Sequence, residues 1–229
     1  MNEFTLRIDT STCRFPDGYD TQREDWWRYS DLTFRGGKLY GLVSEYGQGC
    51  EYVSYLLGGR VDLGGIRIFR DDRPLSQNDL REMSWNLEPA EEPYGKRKAG
   101  ASIRQALAAV SPNGQQQEAF ASVANRFQLT PERYDRRFVE LSGERWRAAA
   151  ALGYAQHKQI FFAPYRPSIF YAQMCRQGLV QALRQLTDSG AVVVLPTGSD
   201  TFLRQIADEV VYLDPSFEND AEQEAYCRV

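Results

Sequence analysis

Residues 41–59, GLVSEYGQGCEYVSYLLGG, constrain this chain more than any other stretch. An apolar segment over 39–43 runs into a glycine-punctuated turn and then into a segment with apolar Val53, Leu56 and Leu57. A buried strand, a phosphate-type loop and a helix are written in this way. A working Walker A loop ends in Gly-Lys-Ser/Thr. Its backbone amides cradle the phosphates, the lysine reaches the outer phosphates and the hydroxyl holds magnesium. Here Cys50 stands at the lysine position and Glu51 at the hydroxyl position, behind a frame of Ser44, Gly47 and Gly49. Losing the lysine forfeits about 1.5–3 kcal/mol. A carboxylate ~4 Å from a phosphate adds repulsion of about 4 kcal/mol at an effective dielectric of about 20. Together these weaken binding at least about a thousandfold. The reading is therefore weak or no binding of ATP and magnesium, with the loop held by internal side-chain bonds. The same letters also fit a tight strand-to-helix turn with no ligand.

The 229 residues allow one large domain, or a core with a small subdomain. With 42% hydrophobic, 25% charged and 13% aromatic residues the chain reads as globular and not disordered. A net charge of -4 gives no reason to expect nucleic acid as a partner. No apolar run approaches the ~20 residues that cross a bilayer. The opening MNEFTLRID does not read as a secretory signal, so the expectation is a cytoplasmic chain. Cys13, Cys50, Cys175 and Cys227 form no CxxC pair and His157 is the only histidine, so no metal site is expected.

Taken in order, residues 3–9 read as a strand, and RGGK at 35–38 as a hairpin turn before the loop strand. Trp26, Trp27, Tyr29 and Phe34 read as an aromatic edge packed on the core. Residues 59–76 alternate as strands on a half-exposed sheet do. EEPYGKRKAGAS at 91–102 reads as a linker, followed by helical segments to about residue 139. Ser142 reads as the cap of an alanine-rich helix. QIFFAPY at 159–165 reads as a buried strand and 168–189 as one helix. AVVVLP at 191–196, a helix from Phe202 and VVYLD at 210–214 complete an alternating β-α pattern. The predicted fold is α/β, with a mostly parallel P-loop NTPase-like sheet, an N-terminal antiparallel layer and a small helical subdomain. The predicted boundaries are 1–90 and 140–229 for the core and 91–139 for the helical part.

This order of parts resembles the ATP-binding cassette of ABC transporters across nearly the whole chain. LSGERWRAAAALGYAQ at 141–156 is similar to the family's signature helix with one glycine missing, and QIFFAPY to its Walker B strand. The resemblance places Ala163 and Pro164 at the Walker B carboxylates, Thr197 near the switch histidine and Glu88 at the glutamine loop. Neither magnesium support nor a base for the attacking water remains at those positions.

What the resemblance implies is a catalytically degenerate, structural or regulatory subunit. Its partners would be a second cassette, in a homo- or heterodimer, and a membrane permease that holds it at the inner face of the membrane. Ser142, Gly143 and Glu144 would then complete the nucleotide site of an active partner in trans. Two other readings stand beside it: a stand-alone ligand- or protein-binding module on the same scaffold, and an ATPase with displaced catalytic groups.

Overall fold

The structure is a computed structural model and describes residues 4–9, 32–44, 49–63, 65–88, 102–108, 120–141, 143–175 and 178–213. Two sheets organise it. β1 (Thr5–Asp9), β2 (Leu32–Arg35), β4 (Arg67–Arg70) and β5 (Arg73–Leu75) form an antiparallel sheet in the order β2-β1-β4-β5. β3 (Leu39–Val43), β6 (Ser84–Asn86), β7 (Ile160–Phe162), β8 (Val192–Thr197) and β9 (Glu209–Tyr212) form a parallel sheet in the order β6-β7-β8-β3-β9. The α/β expectation of a parallel core with an antiparallel layer holds.

Patterning explains which faces are covered. β3 and β8 are buried at every position because both faces of the parallel sheet are covered, so they read as unbroken apolar runs. β2 alternates buried and exposed residues, as a sheet with one wet face does. Between the two sheets lies α1 (Cys50–Leu57), in which every residue but Glu51 is buried. A short helix apolar nearly all round belongs between two layers. Phe4, Leu6, Ile8, Phe34 and Ile68 of the antiparallel sheet share one core with Val53, Leu56 and Leu57 of α1 and with Tyr40, Leu42 and Val194 of the parallel sheet. The opposite face of the parallel sheet carries α5 (Arg145–Ala155), α7 (Leu179–Asp188) and α8 (Leu203–Ile206). Ala148, Ala149, Ala150 and Ala151 of α5 are all buried, since small side chains let the helix approach its neighbours closely.

Several sequence expectations change. RGGK is not a hairpin: β2 and β3 belong to different sheets, and the turn at Gly36 and Gly37 carries the chain from one layer to the other. The helix expected over 168–189 is two, α6 (Ser168–Cys175) and α7, because Gly178 takes a left-handed φ of 78° ahead of α7. Ser142 is not the cap of α5. The helix starts three residues later, with Glu144 as N-cap and its carbonyl accepting from Ala148 N at 3.0 Å. β6 carries no strand period in the sequence, and α2 (Gln77–Met83), just before it, opens on a Ser76–Asp79 capping box. The described part of 91–139 is helical, with α3 (Ile103–Ala108), α4 (Phe120–Arg126) and short 3-10 turns at Pro131–Arg133 and Phe138–Glu140. Trp26, Trp27, Tyr29, Tyr46, Gly47, Ser142, residues 91–101 of the linker and the acidic stretch after residue 213 lie outside the described residues.

Phe34 is fully buried and meets Tyr40 edge-on at 5.0 Å, which ties the antiparallel layer to β3. Phe34→Ala is expected to lower the unfolding free energy by about 3–5 kcal/mol. Urea denaturation measures this, and a loss under about 1 kcal/mol would contradict the layer's burial.

Candidate functional site

The parallel strands all end at one edge, where β3 gives way to Ser44 and where α1 begins after Gly49. Gly49 takes a φ of 111°, open to glycine and strained for other residues, and this turns the chain into α1. The first amide of the helix is already engaged: Cys50 N donates to Ser44 Oγ at 3.1 Å, and Cys50 Sγ lies 3.8 Å from the Ser44 carbonyl. Both residues are fully buried. Burial pushes the Cys50 thiol up from 9.0 to about 11. A thiol of that kind is a packing group and not a nucleophile at neutral pH.

α1 also grips the end of β7. Ser54 Oγ donates to the Ala163 carbonyl at 2.6 Å and accepts from Ala163 N at 3.3 Å. One turn earlier, Glu51 Oε1 accepts from Tyr165 N at 3.1 Å. Pro164, between them, has no N–H. The backbone amides on either side of it are thus both taken by side chains of α1. Tyr165 then leans across to β8, where a Cβ added at Gly198 would meet its hydroxyl and would stand 3.7 Å from the Ser44 carbonyl. Ser44, Cys50, Glu51, Tyr165 and Gly198 are one constellation. Tyr165 was not singled out from the sequence, because an aromatic after a proline carries no motif.

Beside it lies a second cluster. Glu88, just past β6, is fully buried; its Oε2 accepts from Arg145 Nη2 at 2.7 Å and from Trp146 Nε1 at 2.9 Å, with Arg166 Nη2 at 3.8 Å. Two guanidinium groups therefore face the carboxylate that the resemblance places at the glutamine loop. Glu144 also turns inward. Its Oε1 accepts from Thr130 N at 2.5 Å, and Arg133 lies 3.3 Å from its Oε2. Gly143 is half-buried. Thr197 is buried at the end of β8, with its carbonyl accepting from Ser44 N at 3.2 Å. His157, with a φ of 55°, sits in a turn after α5 and takes no part.

No family model and no curated protein matches the sequence. Solved structures do match. A bacterial Atm1-family ABC exporter with ATP bound aligns with a TM-score of 0.59 at 18% identity, covering 93% of this chain and 38% of that chain. CbiO1 from Clostridium perfringens, part of the ABC transporter complex CbiONQ, aligns with a TM-score of 0.67 at 15% identity, covering 92% of this chain and 85% of that one. The chain spans well under half the length of the exporter. At these identities the likeness establishes the fold, which is that of an ABC cassette. Among the described residues, no helix is long and apolar enough to cross a membrane.

The raised Cys50 pKa carries a signed consequence. As pH rises past the ordinary thiol value of 9.0, the unfolded chain loses this proton before the folded one, so stability falls between about pH 9 and 11 and is unaffected at neutral pH. Unfolding curves of wild type and Cys50→Ala across that range are expected to diverge, the wild type losing more. Parallel curves would contradict the burial.

Proposed function

We propose that this chain is a catalytically degenerate cassette subunit, a structural or regulatory partner of an active cassette and of a membrane permease. The observation that carries the reading is the double engagement of α1. The Cys50 amide is bonded to Ser44, and Glu51 is bonded to the Tyr165 amide. In a nucleotide-binding loop those places belong to phosphate and to a magnesium-holding hydroxyl. The residues present do not fit that group. Cys50 brings no charge to a phosphate, Glu51 brings the wrong one, and Ala163 and Pro164 bring no carboxylate.

A cassette without its own nucleotide chemistry keeps a use if it completes another's. Ser142 and the Gly143 backbone are the groups to face a partner's nucleotide, with Glu144 holding the turn from inside. Partnership with a permease is supported by the neighbour CbiO1, which is part of a transporter complex. Contact through the helical segments of 91–139 is the route proposed for this chain.

Calorimetric titration with magnesium-ATP tests the reading. Wild type is expected to give no heat of binding at 1 mM nucleotide, roughly the limit for −4 kcal/mol. The Cys50→Lys, Glu51→Thr double variant is expected to gain affinity at least about tenfold, from the restored charge-assisted bond. Micromolar binding by wild type would overturn the proposal and favour an ATPase with displaced groups.

A further inference from the structure

We infer that the first turn of α5 is a clamp, fixing the helical segments to the carboxyl edge of the parallel sheet through two buried carboxylates, Glu88 and Glu144. Four consecutive residues divide the task. Arg145 and Trp146 reach Glu88 at 2.7 and 2.9 Å. Glu144 and Arg147 reach the other way, to Thr130 N at 2.5 Å and to the Gln128 carbonyl at 2.6 Å. Arg133, on the same side, lies 3.3 Å from Glu144.

The Glu88 side closes into a ring. Arg166, 3.8 Å from Glu88, stands over the Phe170 ring at 5.3 Å; Phe170 in turn packs on Trp146 at 5.2 Å, and Trp146 donates back to Glu88. The end of β6, the start of α5 and the β7–α6 connection therefore meet at one carboxylate. Asn86 Oδ1 accepts from Glu88 N at 2.9 Å and pins the backbone there. The Pro196 carbonyl, on β8, accepts from Arg166 N at 3.2 Å and from Tyr171 Oη at 3.0 Å, which anchors the far side.

The cost of opening follows from burial. Glu88 is fully buried and its Oε1 has no hydrogen-bond partner among the described residues, so the contacts at Oε2 supply its compensation. Rotating α5 away from β6 would leave a carboxylate uncompensated in a low-dielectric interior, which is strongly disfavoured. The helical segments and the sheet edge consequently move as one body, and a load on residues 128–133 is carried to β6 and β7. This device needs no nucleotide and stands apart from the proposed function.

Hydrogen exchange by mass spectrometry without nucleotide tests it, on wild type, Glu88→Gln, Arg166→Gln, Trp146→Phe and the Glu88→Gln, Arg166→Gln double variant. Each single variant is expected to speed exchange in α5 and α4 at least about tenfold while β3 and β8 keep wild-type rates, since local and global opening are separable. The double variant is expected to be no faster than Glu88→Gln, because both changes break one network. Where Glu88→Gln fails to fold, Arg166→Gln and Trp146→Phe decide alone. An equal rise in β3 and β8, no rise in α5, or additive effects in the double variant would overturn the clamp.

Discussion

The grip of α1 on the end of β7 is the constraint on which the rest depends. α1 lies between two sheets, so its position fixes both layers. Ser54 and Glu51 carry that position to the segment around Pro164, taking the amides of Ala163 and Tyr165. A carboxylate bonded to a backbone amide is worth about 1.5–3 kcal/mol, more than a neutral pair. Glu51 thus reads as a structural residue at a place where the resembling loops carry a metal ligand. In this geometry the start of α1 holds the end of β7.

The same exchange of roles recurs along the carboxyl edge. Ser44 takes the Cys50 amide, Tyr165 leans on Gly198, and Glu88 is surrounded by Arg145, Arg166 and Trp146. These described groups are turned toward other parts of the chain. An edge arranged in this way is a joint between layers. The apolar cores on either side of the parallel sheet hold the cassette shape.

Much of this was legible in the sequence. The unbroken apolar runs LYGLV and VVVLPT mark central parallel strands, and the glycine-punctuated turn before Cys50 marks the loop. The cassette-like order of elements came from the resemblance across nearly the whole chain. What stayed hidden is what periodicity cannot carry. β6 is only Ser-Trp-Asn, too short and too polar for a period, and it becomes a strand by pairing with β7. RGGK has the composition of a hairpin, yet the strands it joins find different sheets, which only tertiary packing decides. Around the site, Cys50, Glu51, Ala163 and Pro164 could be read letter by letter. The partners of Glu51 and Glu88 could not, because Tyr165 and Arg145 lie 114 and 57 residues away in the chain.

The most direct measurement is a crystal structure of the chain grown with millimolar magnesium-ATP. In that crystal Cys50 N is expected still to donate to Ser44 Oγ and Glu51 still to accept from Tyr165 N, with no phosphate against the start of α1. A phosphate bonded to the Cys50 amide, with Glu51 released from Tyr165, would contradict this.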